Sequence, residues 1–285
     1  MLVTGATGFV GRQSLAPLDA LGYEVHAVGR RDVDLLDADA TQRLIAEVQP
    51  THLLHFAWYA EPGAFWDSAE NARWEAAGVR LLDAFAAAGG SRAVVAGTCA
   101  EYDWTGDGVL SERSTPLAPR TEYGRAKNAL HAAASQMEIS LAWGRIFFLY
   151  GPNEDERRLV ASVARSLLAG QPARTTHGLQ RRDFLHVADV GDAFAALLDS
   201  GVEGAVNVAS GEGVQVADVV QRIAALVGRP DLLELGAIEA SADEPPLLVA
   251  DVARLHDEVG WTPSRTLDDG LGDTVEWWAT RVAGT

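Results

Sequence analysis

Short apolar runs alternate with longer stretches of helical spacing through the first half of the chain. "MLV" (1–3) is followed by apolar positions at helical spacing near 9–21. "EVHAV" (24–28) precedes a helical stretch near 40–48, and "HLLHFA" (52–57) precedes an Ala-rich one at 68–88. "RAVVAG" (92–97) leads through a loop to a helix near 121–137, and "ISLAWGRIF" (139–147) supplies a fifth strand. Strands that alternate with helices pair in parallel and are covered on both faces. The pattern therefore predicts an α/β fold with a doubly wound parallel sheet over residues 1–150. Beyond "YGP" (150–152) the alternation loosens. Helical spacing recurs at 155–169, 189–199, 215–227 and 267–281, with short strands between. That predicts a smaller α/β lobe over 151–285, with a stretch at about 181–204 returning to the first domain.

Composition narrows the class. The chain has 285 residues, enough for a large α/β domain with a second lobe. Apolar residues make up 48%, which marks a globular rather than a disordered chain. No apolar run approaches the roughly 18–20 residues of a membrane helix. "MLVTGATG" runs straight into a glycine-rich turn with no basic region, so no signal peptide is expected. A single cysteine cannot form an internal disulfide, which suits a reducing cytoplasm. The formal net charge of −17 disfavours nucleic acid and anionic membranes as partners. No metal site is expected. Of the 23 basic residues, 22 are arginines, and the one lysine is Lys127.

The candidate chemistry begins in "TGATGFVG", which sets Gly5, Gly8 and Gly11 between the first strand and the first helix. Glycines there allow a tight turn and let a pyrophosphate approach backbone at a helix N-terminus. This predicts dinucleotide binding. An acid after the second strand would bind the ribose 2′-hydroxyl of NAD. Here Gly29 holds that place and Arg30 follows, a residue able to pair with the 2′-phosphate of NADP. NADP(H) is therefore expected, with NAD(H) possible if Asp32 serves as the acid.

Tyr123 and Lys127 stand four apart on one helical face. An ammonium near a phenol favours the phenolate, so the tyrosine can exchange a proton with an alcohol or ketone nearer neutral pH. The lysine can also reach ribose hydroxyls. Arginine is planar and diffuse in charge and would not substitute for it.

With these motifs the chain resembles the extended short-chain dehydrogenases/reductases, the NAD(P)-dependent epimerase/dehydratase type that acts on nucleotide sugars. The resemblance runs through TGATGFVG, "DLLD" (34–37), "HFA" (55–57), "GTCAEY" (97–102), "YGRAK" (123–127), "GRIFFLYGP" (144–152), "RRDFLHVADV" (181–190), "VNVASGEG" (206–213) and "DVARLHDEVGWTP" (251–263). It implies a Rossmann-type domain and a C-terminal substrate lobe. Thr7, Phe9 and Val10 would join the glycines around the cofactor, Asp34 and Leu35 would hold the adenine, and Phe56, Ala57, Trp58 and Ile146 would line the cleft. Tyr123 would be the acid/base, Lys127 its partner and Thr98 the hydroxyl that binds the substrate oxygen. The family also implies a homodimer through the 68–88 and 121–137 helices.

The residues after Thr98 limit the reaction. Dehydratases of the family carry Asp and Glu there, and decarboxylating relatives a Glu at the second place. This chain has Cys99 and Ala100, neither able to do carboxylate work. Glu101, one place on, is expected to point to the opposite face, as a structural or surface residue. Hydride transfer with one acid/base pair remains. The expectation is an NADPH-dependent reductase of a nucleotide-linked 4-keto-6-deoxy sugar, with an NAD-dependent 4-epimerase as the alternative. A non-nucleotide carbonyl substrate and a non-catalytic NADP sensor are weaker readings. Trp58, Cys99, Ala100, Phe148 and Arg182 are the substrate-side candidates. Arg182 reads as a phosphate clamp, or as an ion pair with Asp183 or Asp189. The aromatic segment "WYAEPGAFW" (58–66) reads as a sugar wall, as packing or as a dimer contact.

Overall fold

The computed structural model describes residues 1–106 and 108–282. The first half folds into β1 (Leu2–Thr4), α1 (Gly11–Ala20), β2 (His26–Val28), α2 (Ala38–Val48) and β3 (His52–His55). It continues with α3 (Glu70–Ala87), β4 (Arg92–Thr98), α4 (Glu122–Ala134) and β5 (Ser140–Ile146). The second half adds β6 (Phe148–Tyr150), α5 (Leu159–Leu168), β7 (Ala173–Arg174), β8 (Arg181–His186), α6 (Val187–Asp199) and β9 (Gly204–Val208). It ends with β10 (Gly213–Gln215), α7 (Val216–Val227), β11 (Leu233–Glu234), β12 (Leu247–Leu248) and α8 (Leu267–Val282).

Six strands form the main sheet, all parallel, in the order β2-β1-β3-β4-β5-β9. The order reverses between β1 and β3, so the loops leaving their C-terminal ends diverge and open a crevice. Leu18 of α1 and Val190 and Phe194 of α6 cover one face; Leu44, Leu81, Leu82 and Leu130 of α2, α3 and α4 cover the other. Successive β4 residues alternate between them, Val94 and Ala96 on the first face and Ala93 and Val95 on the second, as period-two geometry requires.

The smaller lobe is organised on β8, which pairs with β10, β12 and β6; β7 and β11 form a separate pair. Val160, Leu167, Val219, Ile223, Leu271 and Trp278 of α5, α7 and α8 fill its core. Within the 181–204 stretch, β8 belongs to this smaller sheet, while α6 covers the main one and β9 then closes the main sheet's edge. The buried Arg92 guanidinium fastens that return, donating to Leu198 O (2.7 Å), Leu197 O (2.7 Å) and Val202 O (2.9 Å).

Element ends follow local chemistry. The helix anticipated near 155–169 starts only at Leu159, because the chain first turns at Asn153 (φ 71°) and at Asp155, whose carboxylate accepts Arg157 N–H at 3.0 Å. α6 begins early, at Val187, because His186 Nδ1 accepts Ala188 N–H at 3.3 Å. No helix among the described residues is long and apolar enough to cross a membrane.

Candidate active site

The turn after β1 is packed backbone on backbone. Gly5 lies at φ 69°, in the left-handed region where a side chain is disfavoured. A Cβ on Gly5 would sit 2.7 Å from Ala57 N, and one on Gly11 2.2 Å from Gly5 O. α1 starts with no side-chain cap and no acidic residue in its first turn. Open amides at a helix N-terminus favour an anion. Gly5, Thr7, Gly8, Phe9, Val10 and Gly11 thus fit a dinucleotide pyrophosphate. Arg12 braces the turn, donating to Thr7 O (2.6 Å) and Gly8 O (3.0 Å).

At the end of β2, a Cβ on Gly29 would lie 2.3 Å from Thr7 Oγ1, so the place of the customary acid admits no side chain as the turn stands. Asp32 folds back and accepts Gly29 N–H at 2.8 Å. Arg30 and Arg31 are both exposed, and neither forms an ion pair among the described residues. Arg31 was not singled out by the sequence, although it adjoins Arg30. Asp34 accepts Leu36 N–H at 3.0 Å, and the Leu35 side chain, only 5% exposed, packs into the core rather than facing an adenine. Phe56 packs edge-on against Phe194 of α6, with ring centroids 4.9 Å apart, and Ile146 ends β5.

Thr98 is the last residue of β4, and a 3-10 turn over Cys99–Glu101 follows it. This turn breaks the strand alternation. Glu101 therefore does not point away to the surface; it swings back beneath Thr98 and is fully buried. Its Oε1 accepts Thr98 N–H (2.9 Å), while Thr98 Oγ1 accepts Ala100 N–H (3.2 Å). Cys99 and Ala100 are 6% and 3% exposed. Burial pushes the Cys99 thiol up to about 12, with Glu101 adding to the rise, which fits the apolar role over a nucleophilic one.

α4 brings Tyr123 to this strand end. Thr121 caps the helix by accepting Gly124 N–H at 3.1 Å. Gly124 permits the approach, since a Cβ there would sit 2.3 Å from Ala100 O. The Tyr123 hydroxyl comes within hydrogen-bonding reach of Thr98. The lowering expected from Lys127 is not what the structure shows: burial holds the Tyr123 phenol well above its ordinary value, and the Thr98 hydrogen bond and the Arg158 charge pull it down less strongly. Lys127, 2% exposed, donates to Ala96 O at 2.7 Å and lies 3.8 Å from the centre of the Trp58 ring. Burial lowers its ammonium to about 7, and Glu101 opposes that fall. Thr98, Tyr123 and Lys127 are thus brought together.

The 58–66 segment packs on Tyr123. The rings of Phe65 (5.0 Å), Trp66 (5.8 Å) and Trp58 (6.3 Å) meet it edge to face. Trp58 is itself fixed by Asn71, whose Oδ1 accepts its indole N–H at 3.0 Å. Trp66 reaches Trp104 at 6.3 Å, and Trp104 donates to Cys99 O at 2.9 Å. Asn71, Trp104 and Arg158 carried no sequence signal, because no motif or spacing marks them.

Arg182, on β8 of the smaller lobe, lies near enough to Cys99 for its charge to pull that thiol down. It is 4% exposed, with its guanidinium 5.4 Å from the centre of the Phe148 ring. Its ion-pair partner is neither Asp183 nor Asp189 but Glu244, at 2.9 Å. Asp183 instead accepts from the Ser210, Gly211 and Ala250 amides (2.8, 2.9 and 3.2 Å), and Asp189 pairs with Arg265 at 2.7 Å.

The sequence profile of the NAD dependent epimerase/dehydratase family matches residues 1–209. The chain belongs to this family. It is an NAD(P)-dependent enzyme of the extended short-chain dehydrogenase/reductase type, as its motifs implied. It is 31% identical to GDP-6-deoxy-D-mannose reductase of Pseudomonas aeruginosa, across 99% of this chain and 98% of that one. Among solved structures it superposes on UDP-glucose 4-epimerase of Thermus thermophilus complexed with NAD, with a TM-score of 0.86 and 27% identity, covering 97% of this chain and 98% of that one. RMD from Pseudomonas aeruginosa, complexed with NADPH, gives a TM-score of 0.85 at 25% identity, covering 98% and 99% of the two chains.

Proposed function

We propose that the chain is an NADPH-dependent reductase of a nucleotide-linked 4-keto-6-deoxy sugar. The end of β2 carries the cofactor half of this reading: Gly29 admits no acid, Asp32 is turned into its own loop, and Arg30 and Arg31 stand free beside it. Two guanidiniums suit a 2′-phosphate. The substrate half is supported by the likeness to GDP-6-deoxy-D-mannose reductase across nearly the whole chain.

In this reading the bound nicotinamide supplies the hydride. Tyr123, held protonated by burial, gives its proton to the carbonyl oxygen as charge develops there. Thr98 has its hydroxyl oxygen engaged by Ala100 N–H, which leaves its own proton to donate to that same oxygen. Lys127 would hold positive charge one turn along the helix from Tyr123, and would have to turn from Ala96 O and Trp58 to meet ribose hydroxyls. Arg182 pairs with phosphate. α3 and α4 would join two copies through outer faces that expose Ala72, Ala76, Ala129 and Ala132.

The test is calorimetry of ligand-free protein with NADPH and NADH, followed by turnover of GDP-, dTDP- and UDP-linked 4-keto-6-deoxyhexoses. NADPH is expected to bind at least about tenfold tighter, the worth of one charge-assisted hydrogen bond. Tyr123→Phe is expected to lower kcat by about 10²–10⁴-fold while cofactor affinity holds. Preference for a tightly held NAD, with interconversion of 4-epimers and no net NADPH consumption, would replace this reading with the 4-epimerase. Tyr123→Phe with unchanged turnover would remove Tyr123 from the chemistry.

A further inference from the structure

Glu101 is a buried carboxylate for which the proposed reaction has no direct use. Its surroundings are specific. Oε1 accepts Thr98 N–H and the Trp143 indole N–H, each at 2.9 Å, and Oε2 accepts Arg145 Nε at 2.8 Å. Glu101 and Arg145 side chains are 0% and 2% exposed. The space it occupies exists because residue 97 is glycine: a Cβ there would lie 2.1 Å from Trp143 Nε1 and 2.7 Å from Glu101 Oε1. Buried ion pairs are seldom kept for stability alone, since apolar residues of similar volume commonly serve as well.

From this geometry we infer that Glu101 is a positioning residue: its carboxylate fixes the Thr98 backbone from below and is the counter-charge of Lys127 across β4. The inference rests on the proposed acid/base role of Tyr123. The hydrogen bond to Thr98 N–H sets the strand end, and Thr98 Oγ1 is in turn held by Ala100 N–H, so the hydroxyl is aimed from two sides. Lys127 is bound to Ala96 O, two residues before Thr98 on the same strand. One buried anion thereby serves both groups that flank Tyr123.

The charged and titratable groups nearby are few. Those facing Lys127 are Tyr123 on its own helix, His55 at the end of β3, kept neutral by burial, and Glu101. Those facing Glu101 are Arg145 on β5, Cys99 and Tyr102 in its own turn, and Tyr123 and Lys127 on α4. His131 stacks on Trp143 at 4.7 Å, and burial lowers it to about 4, so it is neutral through the working range. Among the described residues, Glu101 is the group that opposes the burial of Lys127. Without that anion the ammonium gives up its proton at lower pH, and activity that needs it fails at lower pH.

The sequence offers a direct readout, because Lys127 is the only lysine. Protein labelled with [ε-¹³C]lysine gives one lysine signal, whose titration reports Lys127 without any substrate. Wild type, Glu101→Gln and the charge-free pair Glu101→Gln/Arg145→Gln are compared; the pair guards against a fold lost to an orphaned guanidinium. The expected result is a Lys127 midpoint lowered by about one pH unit or more in Glu101→Gln, and lowered less in the double variant, where loss of the guanidinium offsets part of the loss of the anion. The alkaline fall of kcat should move the same way, kcat should drop about tenfold or more, and NADPH affinity should hold within about twofold. A Lys127 midpoint unchanged in folded variants, with only Tm reduced, overturns the inference and leaves Glu101 a structural residue. Wild type that turns over none of the keto sugars would defeat the proposed function, while the lysine titration would still decide the role of Glu101.

Discussion

The two sides of the cleft are held in opposite ways. At the end of β4, Thr98 is fixed by residues within three places of it and by side chains of the neighbouring strand β5, all buried. Across the cleft, Arg182 is equally buried, but its carboxylate partner arrives from 62 residues away, in a turn where Ser241, Ala242, Asp243 and Pro246 are exposed. The first arrangement has no spare bond to exchange and suits a group that must not move during chemistry. In the proposed function the second presents a cation whose anion would be traded for a ligand's phosphate. In that reading rigidity would belong to the reacting end and exchangeability to the recognition end.

The largest expected effect comes from breaking the rigid side. Gly97→Ala drives a methyl into Trp143 and Glu101, so stability should fall by about 1–3 kcal/mol. Thr98 should shift with its anchor, lowering kcat by about 100-fold. Urea unfolding and steady-state kinetics measure both, and a variant matching wild type in each would show that the strand end is not tightly set.

A second experiment asks how well that side is sealed. With its thiol pushed up to about 12, Cys99 is almost wholly protonated at pH 8. Iodoacetamide should label it at least about 100-fold more slowly in the native protein than in urea, with the native rate rising toward alkaline pH as thiolate forms. Labelling at the unfolded rate would mean that the floor opens readily.

The smallest effect lies on the exchangeable side. Glu244→Gln leaves Arg182 without its counter-ion. The KM for a nucleotide sugar and the Ki of inorganic pyrophosphate should fall together by about two- to fivefold, with kcat unchanged. A rise in either would identify Glu244 as a ligand contact and reverse the comparison.

What the sequence disclosed follows the range of the interactions involved. The turn after β1 was legible because three glycines at fixed spacing have few other uses, and the Tyr123–Lys127 pair because one helix carries both. The parallel sheet was legible from alternation alone, and comparison with solved structures bears it out. The return of Glu101 beneath Thr98 was not, because a 3-10 turn of three residues cancels the period-two rule that assigned it to the other face. The Arg182–Glu244 pair was hidden by chain distance. The candidate partners Asp183 and Asp189 were nearer in sequence but already engaged by the amides of the 210 loop and by Arg265. Leu35 was read for its motif, while its side chain answers to the core.

The burial of Lys127 under Trp58 has a consequence for the outside of the molecule. Solvent meets no lysine ε-amine anywhere on this protein; its other basic side chains are arginine guanidiniums and histidine imidazoles. Acylating reagents and enzymes that modify lysine have no side chain to take hold of unless the cleft itself opens. The one amine they could reach in that way belongs to α4, so lysine acylation of the intact protein would act as a gauge of how often Trp58 lifts.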